Sequence, residues 1–206
     1  MINFSTLQGL TIPEGVVTEI KDASGRVLWS AVRSATVYLR PTAVTRMNHS
    51  VYPSGMAAYA CINEEVADGD STYIYATSGY SSDFTFSGTV PSGMKVTAGK
   101  VVVVAKYKDD TALTPTVTLQ LPKIDSPTEA YSYKLTTTHM GSAYTEQSCD
   151  FSAATASGSD DIIDAFNALG TGEVSFTVGI ATGASGSDKS TKRCITQVYI
   201  ELTCEG

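Results

Sequence analysis

The side chains best suited to catalysis in this sequence are two histidines, and neither has the neighbours that a catalytic histidine needs. His49 lies in RMNHSVYP and His139 in TTTHMGS, without a nucleophile and an orienting acid at a recognisable spacing. The motifs G-x-S-x-G and H-E-x-x-H and the phosphate-binding loop are also missing. We therefore expect no catalytic residues, and a hydrolase acting on polysaccharide remains an alternative that no motif supports.

The densest group of carboxylates lies in one predicted loop, at Glu64, Glu65, Asp68 and Asp70. Carboxylate oxygens suit Ca²⁺, which makes Glu65, Asp68 and Asp70 weak candidates for metal ligands. The sequence DGDS within this group does not continue into a helix–loop–helix calcium motif, and a single acidic loop is usually just solvated. We expect neither a metal nor another cofactor.

Tyrosine is the common aromatic residue, with eleven copies, and three of them fall in predicted loops. A tyrosine ring can stack on the apolar face of a sugar while its hydroxyl makes a polar contact. Tyr52, Tyr80 and Tyr144 are therefore the candidate ligand-binding residues. The alternative is that these rings only cover the ends of the domain.

The charge pattern argues against two classes of partner. Charged residues make up 17% of the chain, the net charge is −7, and lysine and arginine are not clustered, so we expect no nucleic acid partner. The longest apolar run, VVVVA at 101–105, is far shorter than the roughly 18 residues of a membrane span. The segment MINFSTLQGL does not resemble a signal peptide, so we expect synthesis in a cytoplasm without export by the usual route.

The four cysteines, Cys61, Cys149, Cys194 and Cys204, form no C-x-x-C pair. We expect buried, reduced thiols. A disulfide that joins Cys61 or Cys149 to Cys194 or Cys204 is the alternative. The segment CITQVYIELTC reads as one strand, which places Cys194 and Cys204 on the same apolar face but far beyond disulfide reach.

Alternating apolar and polar residues predict eight or nine strands after residue 35. The main segments are ATVYLRP, which Pro41 should end, AAYACIN (57–63), TYIYAT (72–77), DFTFSG, VTAGKVVVVAKYK (96–108), TPTVTLQL (114–121), AYSYKLTTT (130–138), EVSFTVGIAT and the C-terminal strand, with YTEQSCDFSA as a weaker candidate. The stretch 42–57 has no sustained period and reads as a loop.

One helix is predicted, over SDDIIDAFNALG. Ser159, Asp160 or Asp161 can cap its N-terminus, and Gly170 is a natural stop. Many strands with one short helix predict an all-β fold, an antiparallel jelly-roll-like β-sandwich. An immunoglobulin-like sandwich is the alternative, although this chain is about twice the ~100 residues which that fold needs.

A small N-terminal β-hairpin should precede this sandwich, because DASG separates two apolar alternating runs in TEIKDASGRVLW. An isolated hairpin is marginal in water, so it must lean on its own chain or on a partner. The expected organisation is a hairpin or anchor segment at 1–30, a connector at 31–35 and the sandwich at 36–206. The candidate anchor residues are Ile12, Val17, Ile20, Val27, Leu28 and Trp29.

The first 31 residues, MINFSTLQGLTIPEGVVTEIKDASGRVLWSA, resemble the N-terminal segment of structural proteins in tailed bacteriophages and prophages of gut Firmicutes. The stretch YLRPTAV…HSVYP…INEEVADGDSTYI, at about 38–75, is similar to virion proteins in which an acidic DGD-S-T-Y-I loop precedes a strand.

This resemblance implies a virion protein that is assembled in the host cytoplasm. We expect it to be tail-associated or fibre-like, anchored to other virion proteins by its N-terminal segment, with a bacterial surface glycan as the expected ligand. A capsid decoration protein or head fibre, which stabilises or covers the shell, is the alternative. A homo-oligomer is the default for such components, and a trimer would suit a fibre.

Overall fold

The computed structural model describes residues 19–21, 24–30, 33–76, 80–107, 115–126, 128–137, 142–182 and 193–206. The chain divides into two units, Met1–Arg33 and Ser34–Gly206. Each unit has its own strands.

The first unit contains an antiparallel hairpin of β1 (Glu19–Lys21) and β2 (Val27–Ser30). Ile20 lies opposite Trp29 and Lys21 opposite Val27, with a one-residue irregularity between these pairs. Gly25 has a φ of +83° in the turn, a conformation that glycine adopts at little cost. The predicted N-terminal hairpin is therefore confirmed. Leu28 also lies in β2, whereas Ile12 and Val17 fall outside the described residues.

The second unit is a jelly roll. One sheet has the strand order β3-β13-β7-β10, the other has the order β6-β12-β8-β9, and the pairings are antiparallel. We call them the first and second sheet, and together they confirm the predicted fold class. The elements are β3 (Ser34–Arg46), β4 (Ser50–Tyr52), β5 (Tyr73–Ala76), β6 (Ser81–Val90), β7 (Lys95–Tyr107), β8 (Thr116–Pro122), β9 (Ala130–Thr136), β10 (Thr145–Asp150), β11 (Thr155–Ala156), α1 (Ile162–Ala168), β12 (Gly172–Ala181) and β13 (Arg193–Glu205).

Strand β3 belongs to both sheets. Its residues up to Leu39 pair with β13, and its residues from Arg40 onwards pair with β6. The prediction that Pro41 ends this strand was wrong, and part of the predicted loop at 42–57 belongs to β3 and β4. Pro41 pairs with Phe86 of β6 directly before a register shift in that pairing, where a residue without an N–H is tolerated. Beside β13, the place that β3 leaves is taken by β5, with β4 at its edge.

The core lies between the two sheets. In the centre of β7, both faces of Val101–Ala105 are buried, as the apolar run predicted. The alternation in β8 and β12 also places the predicted apolar side chains in the core: Val117, Leu119, Leu121, Val174, Phe176, Val178 and Ile180.

A 3-10 helix replaces one predicted strand. Residues Ala58–Cys61 of the AAYACIN segment form this helix, so the strand prediction there was wrong. Ala58 and Cys61 are both buried and lie three residues apart, which is the period of a 3-10 helix and not that of a strand.

The predicted helix is confirmed as α1. The side chain of Asp161 accepts a hydrogen bond from the backbone N–H of Ile163 (2.8 Å), which identifies Asp161 as the cap. Gly170 follows the helix with a φ of +84°. Asn167 joins the helix to β7, because its side chain accepts from Val96 N (2.8 Å) and donates to Val96 O (3.0 Å).

All four cysteines are buried and none forms a disulfide, which confirms the expectation of thiols over disulfides. Cys194 does not share a face with Cys204, however, so that prediction was wrong. A bulge between Ile195 and Gln197 shifts the alternation of β13 by one residue. Ile195 and Cys204 therefore both belong to the core, while Cys194 lies on the opposite face.

Candidate functional site: a cleft on the first sheet

The site is built on the outer face of the first sheet, the face that points away from the core. Leu39 in β3 and Ile200 in β13 are register partners, and both are wholly buried in the core. Side chains alternate along a strand, so Tyr38, Arg40 and Tyr199 emerge together on the outer face. The register of two strands that are distant in sequence thus assembles a group of three side chains.

The three side chains form an aromatic and cationic floor. The rings of Tyr38 and Tyr199 meet edge to face, with centroids 5.7 Å apart and an interplanar angle of 70°. The guanidinium carbon of Arg40 lies 5.9 Å from the Tyr38 centroid and 5.1 Å from that of Tyr199. Edge-to-face pairing and cation–π attraction both hold the rings in place. Tyr38 is nevertheless 49% exposed, so its ring is available to a ligand.

This floor belongs to an open cleft of about 1070 Å³, which we call the sheet-face cleft. Its walls come from β10, from the end of β6 and from the segment that follows the 3-10 helix. The residues that line it are Ala35, Thr36, Val37, Tyr38, Arg40, Glu65, Val66, Ala67, Thr89, Pro91, Val104, Glu146, Gln197 and Tyr199.

One wall is the acidic loop, which we define as Glu64–Thr72. Arg40 Nη1 donates to the carbonyl oxygens of Asn63 (3.4 Å) and Glu64. Gln197 Nε2 donates to the same Glu64 oxygen (2.5 Å). Two residues of the cleft therefore hold the start of this loop against the sheet.

The acidic loop is also closed by its own side chains. The Glu64 carboxylate accepts from Thr72 Oγ1 (2.6 Å) and from the backbone N–H of Asp68 (3.1 Å). The Asp68 carboxylate accepts from the backbone N–H of Thr72 (3.1 Å) and from Thr196 Oγ1 of β13 (3.1 Å). These bonds fix the loop's conformation without a ligand.

The structure does not bring the three candidate metal ligands together. Asp68 bonds within the loop and to β13, Asp70 pairs with Lys106 Nζ, and Glu65 is exposed on the wall of the cleft. Over the described ranges of the chain, no group of three or more His, Cys, Asp or Glu side chains could hold a metal ion.

The three predicted loop tyrosines lie elsewhere, and none of them lines the cleft. Tyr52 ends β4 and stacks on Tyr73, with centroids 5.0 Å apart at 18°. Tyr80 precedes β6 and is 50% exposed. Tyr144 precedes β10 and is half-buried, with Lys106 Nζ 4.5 Å from its ring centroid, and burial raises the pKa of its phenol.

Among the residues that line the cleft, only Glu65 was a candidate from the sequence, as a metal ligand, because the tyrosine candidates were limited to loops. A usable signal was present in the strands: Tyr38 and Arg40 occupy polar-face positions of ATVYLRP, and Gln197 and Tyr199 do so in QVYIEL. Aromatic residues on the solvent face of a sheet are candidates for ligand contact. Burial, followed by the charges of Glu146 and Glu201, raises the pKa of the Tyr199 phenol, so it remains a hydrogen-bond donor at neutral pH.

His49, the one histidine among the described residues, has a structural position. His49 is buried, its Nδ1 lies 2.7 Å from Ser82 Oγ, and Ser82 is wholly buried, so no substrate can reach this serine. Burial lowers the pKa of His49 to about 4. His139 lies outside the described residues.

No protein-family model matches this chain, and no curated protein does. A search of solved structures finds a carbohydrate-binding module, TmCBM61, solved in complex with β-1,4-galactotriose. The TM-score is 0.31 at 11% identity, over 82% of this chain and 86% of that chain. A likeness of this degree carries no argument about the ligand of the present chain. In the part of the chain that the structure describes, no helix is long and apolar enough to cross a membrane.

Proposed function

We propose that this chain is a non-catalytic, glycan-binding component of a tailed-bacteriophage virion, tail-associated or fibre-like, and that the sheet-face cleft is its glycan site. One observation carries the glycan part of this proposal. A tyrosine pair, of which Tyr38 is exposed and Tyr199 half-buried, lies against a guanidinium and forms the floor of an open cleft on one sheet of a jelly roll.

The chemistry of the cleft suits a sugar. Tyrosine rings offer apolar faces to the C–H surfaces of a pyranose ring. The carboxylates of Glu65 and Glu146, both exposed, can accept hydrogen bonds from hydroxyl groups. The cleft is open, so a segment of a longer chain can enter it as well as a terminal sugar.

The cleft is also organised before any ligand arrives. Arg40 contacts both rings and the wall, and Gln197 holds the same wall through Glu64. Side chains that are already fixed lose little conformational entropy on binding, which favours affinity for a ligand with few strong contacts.

A glycan array tests this proposal, followed by titration calorimetry with the strongest hit. We expect Tyr199→Ala to weaken binding by about tenfold or more, because it removes half of the aromatic floor. Tyr80→Ala is the control, since it also removes a tyrosine ring from the surface, and Tyr80 is 50% exposed and lies outside the cleft. The affinity of the Tyr80→Ala variant for the glycan should stay within about twofold of that of the unmodified protein.

Circular dichroism must first show that both variants are folded. An array without any hit would contradict the glycan proposal. Binding that Tyr80→Ala weakens as much as Tyr199→Ala does would contradict the assignment to this cleft.

The virion part rests on the resemblance of the first 31 residues to phage structural proteins, and the separation of Met1–Arg33 as its own unit supports it. Mass spectrometry of purified particles tests it, and we expect peptides of this chain in them. Antibody labelling in electron microscopy should then decorate tails. Labelling of heads would favour the capsid decoration alternative, and absence from particles would contradict the virion proposal.

A further inference from the structure

We infer that the sheet-face cleft selects neutral oligosaccharides over acidic ones, with Glu65 and Glu146 as the specificity-determining residues. This inference rests on the proposed glycan-binding function and adds the chemical class of the ligand.

The charges around the cleft support this selection. Among the described lining residues, the charged side chains are Arg40, Glu65 and Glu146, so negative charge exceeds positive charge by one. Both glutamates are exposed. Arg40 is half-buried, and its charge is already engaged with two tyrosine rings and with the backbone oxygens of the acidic loop. A ligand carboxylate would therefore meet two exposed negative charges and one cation that is already partly satisfied.

The hydrogen-bonding chemistry points in the same direction. An ionised carboxylate can only accept hydrogen bonds. The hydroxyl groups of a neutral sugar can donate to Glu65 and Glu146, and charge-assisted bonds of this kind are the stronger ones. A uronate carboxylate has no proton to donate at neutral pH, so it would gain no such bond and would add repulsion. The net charge of −7 opposes the approach of a polyanion as well.

The experiment uses the full chain and a matched pair of ligands. The first ligand is the strongest neutral oligosaccharide on the array, and the second is the same oligosaccharide after oxidation of its primary hydroxyls to carboxylates. We expect the oxidised form to bind about tenfold more weakly at low ionic strength. This difference in affinity between the two ligands should become smaller as salt is added, because repulsion between exposed charges is screened.

The double variant E65Q/E146Q separates repulsion from the simple loss of a hydroxyl contact. Glutamine keeps the size of each side chain and removes its charge. The affinities for the neutral and the oxidised ligand should therefore differ by about threefold or less. A difference in affinity of about tenfold that persists in this variant and at high salt would overturn the role of the two glutamates.

Other results overturn the inference while leaving the proposed function intact. These are array hits confined to uronate-containing or sialylated glycans, a strongest hit that carries a free amine, or equal affinity for the two matched ligands. An array with no hit at all would instead contradict the proposed function.

Discussion

At the scale of single residues, the turn between β3 and β4 depends on one hydroxyl group. Ser82 Oγ accepts hydrogen bonds from the backbone N–H groups of Asn48 (2.8 Å) and His49 (3.1 Å), and it lies 2.7 Å from His49 Nδ1. Because Ser82 and His49 are both buried, protonation of the imidazole would put a charge where water cannot solvate it.

This burial predicts a pH dependence of folding. The pKa of His49 is lowered to about 4 in the folded state, from an ordinary value of about 6.5 in the unfolded chain. The unfolded state therefore binds this proton more readily, so the associated stability is complete above pH ~6.5 and is lost as the pH falls toward 4. Between pH 7.5 and 4.5 the free energy of unfolding should drop by about 2 kcal/mol more in the unmodified protein than in His49→Gln.

Urea denaturation of both proteins at the two pH values measures this difference. Each protein is compared with itself, so a uniform destabilisation of His49→Gln does not affect the result. Equal losses in the two proteins would show that another group controls the acid response.

At the scale of secondary structure elements, the change of partner by β3 requires β6 to approach it closely. Gly88 of β6 lies at this crossing. A Cβ atom added there would fall 2.5 Å from Leu39 Cδ2 and 2.9 Å from the carbonyl oxygen of Tyr38. The second contact is with backbone, which cannot turn aside as a side chain can.

We therefore expect Gly88→Ala to reduce the free energy of unfolding by about 1–3 kcal/mol, as overpacking does in well-packed sites. The neighbouring Thr89→Ala is a matched control, because Thr89 is exposed on the same strand and should change stability by less than about 0.5 kcal/mol. Thermal or chemical unfolding of the two variants provides the measurement. A fully stable Gly88→Ala would mean that the two strands can separate at this crossing without cost.

The elements also show which features a sequence can predict. Helix α1 was predictable because its signals are local, with Asp161 at its start and Gly170 beyond its end. The 3-10 helix at Ala58–Cys61 was mistaken for a strand, since a short apolar run does not reveal its period until it packs. Pro41 was predicted to end its strand. The sequence gives no local signal that β3 continues past Pro41 and pairs with β6 of the other sheet.

At the scale of the whole molecule, alternation predicted a sandwich, but the cleft could not be predicted in the same way. Tyr38 and Tyr199 are distant in sequence and meet only through the pairing of β3 with β13. The bulge in β13 decides which of its residues face outward, and nothing in the sequence marks it. Register is a property of the assembled sheet, so the candidate site became visible only in the structure.

The division into two units predicts that they have separate roles. The described core of the jelly roll is built from residues of Ser34–Gly206, so deletion of residues 1–30 should leave the jelly roll folded. If the proposed glycan site is correct, the deletion should also leave the affinity for the glycan within about twofold of the original value. If the N-terminal segment is the virion anchor, the same deletion should abolish incorporation into particles.

Circular dichroism, calorimetric titration and immunoblots of purified particles measure these three properties. Particles that still contain the truncated protein would show that the anchor lies elsewhere. Unfolding of the truncated chain would show that the N-terminal segment contributes to the stability of the jelly roll.

The pairing of β3 with β13 has a consequence for how this domain can be combined with others. Ser34, at the start of the jelly roll, lies opposite Glu205, near its end, so the backbone enters and leaves at neighbouring points on the same sheet. Opposed residues in antiparallel strands are only about 5 Å apart. Because these two ends are neighbours, we expect that the jelly roll can be inserted as a domain into a surface turn of an unrelated host protein. For the same reason, it can be circularly permuted with a linker of a few residues.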